Sequence, residues 1–226
     1  MPSRPALALF AAMAAVSCSR AATGDQPRVE YDKVTGRLTR LEFDANKNGK
    51  NDGVSYMDGT RVVRIELDLD ENGKVERWDF YTPDGSLEKV GLSGLNDGVM
   101  DAQTFYNTDR TIQRIEISTK RDGRFDKTEF YEQGGLVRSE EDVNGDGRAD
   151  KWETYRPIAR AGPNEPAYGI TSTTFDDTGS GHPERRFLYG PGGAITSVEV
   201  DPDGDGVFQP QQTSTPSTFR SRARSK

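Results

Sequence analysis

Oxygen-bearing side chains recur at alternate positions in the segment 142–153, which reads DVNGDGRADKWE. Carboxylate or amide oxygens occupy its first, third, fifth, ninth and twelfth positions, and the seventh offers its main-chain carbonyl. These groups belong to Asp142, Asn144, Asp146, Asp150, Glu153 and Arg148. Because Ca²⁺ takes about six to eight hard oxygen ligands from a loop with this spacing, the segment predicts a calcium site.

The spacing recurs along the chain around seven glycines, 24 or 25 residues apart except for one interval of 34: Gly49, Gly73, Gly98, Gly123, Gly147, Gly181 and Gly206. A glycine in every copy predicts a left-handed backbone there, with or without metal. Further candidate ligands are Asp68, Asp70, Asn72 and Glu76, then Asp44, Asn46, Asn48 and Asp52, then Asp201, Asp203 and Asp205. The loop of Asp176 and Glu184 is weaker. Two loops, with Leu95 or Lys120 at the third position, are predicted to lack metal, and the Lys120 ammonium could replace the cation.

The segment 142–153 resembles the calcium loop of an EF-hand, and a series of such loops without helices is more similar to thrombospondin type 3 arrays. Either resemblance implies calcium as the bound ion. The helix that should follow the loop is missing, and a strand would aim Glu153 differently. The alternative is a set of acidic turns without metal. Against it, a plain turn needs one Asp or Asn, whereas crowded carboxylates repel one another unless a cation or solvent screens them.

Short strand patterns separate the loops. One strand of each pair ends in an aromatic residue such as Tyr81 or Tyr106, a turn follows, and the second strand alternates apolar with charged residues. Leu41 and Phe43 share one face, for example, and Arg40 and Glu42 share the other. The chain is therefore predicted to be all-β, with about seven tandem antiparallel hairpins, some fourteen strands, in an extended twisted sheet, solenoid or shell. A closed sheet and a propeller of paired units stay open as alternatives.

The stretch YDKVTGRLT, from Tyr31, resembles the YD repeats of Rhs-type proteins, and the tyrosine–glycine–strand rhythm resembles MORN-like repeats. These resemblances imply a long twisted sheet or a spiral shell. They also suggest an alternative function, that of an immunity-type partner of a secreted toxin.

The N-terminal segment has the features of a bacterial secretion signal: Arg4, an apolar stretch over 6–16 and small residues before Cys18. The sequence AVSC resembles the lipobox of bacterial lipoproteins. That resemblance implies a lipid on Cys18, and Ser19 favours the outer membrane. Cleavage after Ala21 is the alternative. The predicted organisation is a signal peptide over 1–17, a flexible linker over 18–29, the repeat domain over 30–208 and a disordered tail over 209–226.

Composition limits the remaining functions. The chain is 30% charged and 32% hydrophobic, which predicts a thin core, and its net charge of −7 argues against nucleic acid as a partner. With His182 as the only histidine and no catalytic motif, an enzyme is not expected. Trp78, Phe80 and Trp152 could form a sugar platform or belong to the core. The insertion 156–169 could bind a ligand or be a disordered excursion.

These observations predict a calcium-binding repeat lipoprotein of the bacterial cell envelope. It would be anchored to the membrane through its lipid and act as a structural or ligand-binding scaffold. The expected ligand is an unknown protein or glycan.

Overall fold

A computed structural model of the chain describes residues 26–157 and 168–211. Cys18, the predicted signal peptide, most of the insertion and most of the tail lie outside the described residues. No helix in these ranges is long and apolar enough to cross a membrane. The elements are β1 (Arg28–Tyr31), β2 (Leu38–Phe43), β3 (Gly53–Asp58), β4 (Arg61–Leu67), β5 (Arg77–Tyr81), β6 (Leu87–Leu92), β7 (Ala102–Tyr106), β8 (Ile112–Ile117), β9 (Lys127–Glu132), β10 (Gly135–Glu141), β11 (Lys151–Pro157), β12 (Tyr168–Phe175), β13 (Arg185–Tyr189), β14 (Ile195–Val200) and β15 (Gln209–Pro210).

All fifteen strands form one open antiparallel sheet in which spatial order follows chain order. This confirms the predicted all-β repeat of hairpins, with one strand more than the sequence suggested. The sheet also begins at Arg28 and ends at Pro210, so it takes two residues from the predicted linker and two from the predicted tail. Each strand contacts its sequence neighbours, as in other quasi-one-dimensional repeat proteins.

Every hairpin has a β-bulge near its turn. The pairing of β5 with β6 moves from Phe80↔Lys89 to Tyr81↔Leu87, which leaves Glu88 as the extra residue. The extra residues of the other six hairpins are Thr39, Val63, Gln113, Val137, Thr171 and Thr196. A bulge reverses the facing of the residues beyond it. Leu87 therefore lies on the same face as Tyr81 rather than with Lys89.

One face of the sheet alternates cations with aromatic rings, and we call it the charged face. Its central row runs across the strands as Arg40, Tyr56, Arg64, Phe80, Lys89, Phe105, Arg114, Phe130 and Arg138. The Arg114 guanidinium lies 3.5 Å from the centroid of the Phe105 ring, and Lys89 Nζ lies 4.9 Å from that of Phe80. The cations also pair with acids on their own strands, as Arg64 does with Glu66 at 3.0 Å.

The opposite, aliphatic face carries Leu41, Ile65, Val90, Ile115 and Val198, as the alternation predicts. No second layer covers either face within the described residues, where Val90 is the only buried apolar side chain. The buried polar residues instead include Asp52, Asp150, Asp176 and Asp201, all at the loops. The sheet is therefore stabilised largely by its strand pairing and by the polar contacts of its loop edge.

Candidate metal centre

Seven loops lie side by side along one edge of the sheet. Each leads from an even-numbered strand to the next odd-numbered one: loop 1 (44–52), loop 2 (68–76), loop 3 (93–101), loop 4 (118–126), loop 5 (142–150), loop 6 (176–184) and loop 7 (201–209). The backbone N–H at position 1 of each later loop donates to the position 9 carbonyl of the loop before it, at 2.7–2.9 Å. These six bonds stack the loops into a ladder.

Two positions in every loop have a left-handed backbone. Position 6 is the predicted glycine, with φ between 83° and 101°. Position 4 was not predicted. It is glycine in loops 5, 6 and 7, whereas loops 1 to 4 place Lys47, Glu71, Asn96 and Arg121 there, at φ of 51° to 64°. An L-residue in this conformation costs about 1–2 kcal/mol, so the loop backbone must impose it.

The position 1 side chain caps the turn from inside. In loops 1, 2, 5, 6 and 7 an Asp accepts the N–H of the position 6 glycine at 2.6–2.9 Å. Loops 3 and 4 have Ser instead, and Ser93 Oγ accepts the Asp97 N–H at 3.1 Å. Position 5 caps position 7, as when Asp146 Oδ1 accepts the Arg148 N–H at 2.9 Å. The alternating oxygens, which the sequence predicted to bind a cation, thus also stabilise the turn by accepting its backbone N–H groups.

Loop 7 gathers three carboxylates. Single oxygens of Asp201, Asp203 and Asp205 all lie within 4.8 Å of one another, and within the described ranges no other group of three or more acidic, histidine or cysteine side chains meets so closely. Asp201 is 1% exposed. Burial opposes its ionisation, but the N–H of Gly206, a hydrogen bond with Asp203 and the N–H of Gly204 outweigh it and lower the pKa of Asp201. These contacts therefore favour the ionised form of Asp201.

Loop 5, the closest sequence match to a calcium loop, is arranged differently. Asp142 and Asp146 lie at the turn, and Asn144 Oδ1 accepts the Asp146 N–H at 2.8 Å. Asp150, however, directs one oxygen to the Val143 N–H at 3.1 Å and the other to the Asn144 N–H at 3.0 Å. Its carboxylate holds the start of the loop and does not join the other two.

Glu153 lies away from loop 5. It belongs to β11, where its carboxylate accepts the Ser139 hydroxyl at 3.0 Å and the Tyr155 hydroxyl at 2.8 Å and pairs with Lys151 at 3.2 Å. The expected position 12 ligand is corrected accordingly: strand alternation places Glu153 on the aliphatic face with Lys151 and Tyr155, because β11 starts where an EF-hand would have its helix.

Loops 1 and 2 combine Asp with Asn. At position 1, Asp44 and Asp68 accept the N–H of their position 6 glycines. At position 3, Asn46 and Asp70 accept the N–H of position 5. At position 5, Asn48 and Asn72 accept the N–H of position 7. At position 9, Asp52 is 6% exposed and accepts the Ala45 N–H through Oδ1, while its Oδ2 is buried without a hydrogen-bond donor in the described structure. Glu76 Oε2 is buried in the same way. Such orphaned acceptors are the groups that a bound cation would satisfy.

Loop 3 is neutralised by a side chain from loop 4. Arg121 Nη2 lies 3.0 and 3.1 Å from the two carboxylate oxygens of Asp97, and its Nε lies 2.8 Å from Asp101 Oδ2. The guanidinium therefore spans positions 5 and 9 of loop 3. In loop 4, Lys120 Nζ lies 4.0 Å from Asp126 Oδ2 and 3.4 Å from the Val143 carbonyl oxygen.

Arg121 is one example of a rule that sequence reasoning missed: a long side chain at position 4 reaches the preceding loop. Glu71 contacts Asn48 and Lys50 of loop 1, and Asn96 Nδ2 donates to Asp70 Oδ2 of loop 2 at 3.1 Å. Loops 5 to 7 have glycine at position 4, so no such side chain reaches loops 4 to 6. A polar cleft of about 370 Å³ accordingly separates loops 4 and 5.

The other candidate residues have ordinary surroundings. Phe80 of the suggested sugar platform carries Lys89 against its ring, and Trp78 and Trp152 are half-buried on the charged face. His182 is exposed at position 7 of loop 6, where its N–H donates to Ser180 Oγ at 3.1 Å.

No protein-family model matches the chain, and no curated protein matches it. Among solved structures it is similar to accessory secretory protein 1, 2 and 3 of Streptococcus pneumoniae, at 15% identity over 60% of this chain with a TM-score of 0.25. A porin-like protein from Bacteroides uniformis gives 14% identity over 81% of this chain and 86% of its own, with a TM-score of 0.17. The chain covers 20% of the first structure. At such TM-scores neither similarity bears on the fold or the site.

Proposed function

We propose that this chain is a calcium-binding repeat scaffold of the bacterial cell envelope, held at the membrane by a lipid on Cys18. The AVSC motif supports the anchor, and the acidic loops support the ion. The observation that carries the calcium proposal is the meeting of Asp201, Asp203 and Asp205 at one end of the loop ladder. None of the three forms an ion pair with a Lys or Arg of the described chain.

A bound cation would supply the positive charge that no Lys or Arg of the described residues gives to loop 7. Hard carboxylate oxygens are the ligands that Ca²⁺ prefers, and main-chain carbonyls and water can complete its coordination. The same ion would relieve the repulsion among the three carboxylates. In loops 1 and 2 it would satisfy the buried oxygens of Asp52 and Glu76. Calcium would thus stiffen the loop edge of a sheet that has almost no apolar core.

Thermal unfolding in calcium and in chelator tests the proposal. Extracellular calcium modules bind with Kd of about 10⁻⁴ to 10⁻³ M, so calcium at roughly ten to a hundred times Kd should add about 1–3 kcal/mol to the free energy of unfolding. The variant D203N/D205N should lose most of this gain, because it removes two of the three charges and leaves Asp201 to cap Gly204 and Gly206 through its two oxygens. Asp109→Asn, in a turn at the opposite edge, is the matched control and should respond like the wild type.

An equal response of the D203N/D205N variant and the wild type would refute loop 7 as the main site. An unfolding midpoint that calcium leaves unchanged in the wild type would refute the calcium function itself.

A further inference from the structure

Two clefts lie at the turn edge, opposite the loops. The larger, of about 610 Å³, separates the β5–β6 turn from the β7–β8 turn, and the smaller, of about 450 Å³, separates the β3–β4 turn from the β5–β6 turn. Both volumes lie in the range of ligand sites. Tyr81 and Asp84 line both clefts, so the two form a continuous surface around one turn.

Aromatic rings and polar side chains share the larger cleft. Its rings are Tyr81 and Tyr106, which stand at the same place in successive hairpins. Since two strand spacings separate them, the rings repeat at about 10 Å along the edge. Polar groups of Asp84, Glu88, Asn107 and Arg110 surround them. Acidic and basic groups are both present, which favours a ligand without strong charge.

The hydroxyls of these two tyrosines are available to a ligand. In equivalent positions Tyr131 and Tyr155 donate to Glu129 and Glu153 of their own strands, at 2.9 and 2.8 Å. Within the described residues the hydroxyls of Tyr81 and Tyr106 make no hydrogen bond. Burial, and then the charge of Asp79, raises the pKa of Tyr81, so its hydroxyl stays a donor at neutral pH.

We propose that these clefts bind a neutral, linear oligosaccharide whose rings stack on Tyr81 and Tyr106. A sugar ring has an apolar face that packs on an aromatic ring, and its hydroxyls pair with carboxylate, amide and guanidinium groups. The distance between the tyrosines is close to the length of two linked sugar rings. A peptide added as a strand is disfavoured, because strand addition needs an unpaired strand edge and the clefts lie between turns. The inference rests on the scaffold role proposed above and names its ligand class.

Calorimetric titration with cellohexaose, chitohexaose and maltohexaose tests it on the full-length protein, in both calcium and chelator. At least one of the three should bind, and Tyr81→Ala should weaken that binding about tenfold or more by loss of stacking. Tyr81→Phe should retain most of the affinity. Tyr189→Ala, at the equivalent position of a distant hairpin, is the matched control and should bind like the wild type.

Absence of binding by all three sugars would overturn the proposal, as would equal weakening by the Tyr81 and Tyr189 alanine variants. Sugar binding in chelator with no calcium effect on unfolding would uphold this inference while refuting the metal function. The opposite pattern would uphold the metal function alone.

Discussion

Loops 3 and 7 share a backbone and differ in how their charge is balanced. Both have left-handed residues at positions 4 and 6, and both join the loop ladder through position 1. In loop 3 the carboxylates of Asp97 and Asp101 contact the guanidinium of Arg121. In loop 7 three carboxylates face one another without a basic side chain from the described residues. One turn geometry therefore accommodates either a cation of the chain or, as we propose, a cation from solution.

The largest expected effect comes from acid, which titrates many loop carboxylates together. Hydrogen bonds from backbone N–H groups outweigh burial and lower the pKa of Asp176 and Asp201. A group with a lowered pKa stabilises the fold while ionised, and that contribution is lost as pH falls through its folded-state pKa, below about pH 4. Unfolding midpoints measured from neutral pH into acid should therefore fall steeply at the acidic end.

Serine at position 1 provides the control for this titration. Asp176→Ser gives loop 6 the uncharged cap that loops 3 and 4 have, and it should flatten the acid branch of the profile. Parallel profiles for the variant and the wild type would show that these caps do not cause the acid sensitivity.

Arg121→Ala should leave loop 3, like loop 7, with carboxylates that no basic side chain neutralises. Without the guanidinium, Asp97 and Asp101 repel each other, so the unfolding midpoint in chelator should fall and calcium should restore part of the loss. Arg124→Ala, an exposed arginine of the same loop, should change neither value much. If the two variants behave alike in thermal unfolding, Arg121 is not the cation of loop 3.

Gly98→Ala and Gly206→Ala should cost about the same in both regions. Their φ angles are 83° and 86°, and a Cβ at such angles costs about 1–2 kcal/mol. Denaturant unfolding in chelator should give equal losses, because the two loops share their backbone. A marked difference would break the claim of a common geometry.

The smallest effect is expected from Lys47→Gly. This substitution gives position 4 of loop 1 the glycine that loops 5 to 7 have. Relief of the strain at φ 64° should stabilise the chain by less than about 1 kcal/mol, since glycine also gains entropy on unfolding. Denaturant unfolding would measure the gain. A loss of stability would mean that the Lys47 side chain makes a contact that outweighs the strain.

The sequence predicted the features that can be recognised within a single repeat. Glycine in every loop marked the left-handed turn at position 6, and alternation assigned Leu41 and Arg40 to opposite faces. The second left-handed position was hidden, because Lys47 or Glu71 stands where Gly145 stands in loop 5. Glycine at 145, 179 and 204 was the available signal.

Contacts between side chains of different repeats could not be predicted from the sequence. The contact of Arg121 with Asp97 joins residues one repeat apart, and it follows only once the stacking of the loops is known. The position of the Glu153 carboxylate depends on the residue at which β11 begins. Position 12 was read from a helical loop, whereas a strand from Lys151 places that carboxylate on the sheet face.

Hydrogen exchange of the individual loops, with and without calcium, tests the central claim most directly. Calcium should slow exchange at the backbone amides of loop 7, including those of Gly204, Gly206 and Val207. The exchange rates of the loop 3 amides should stay unchanged, because Arg121 already neutralises the carboxylates of that loop. Equal slowing in both loops, or none in loop 7, would contradict the account.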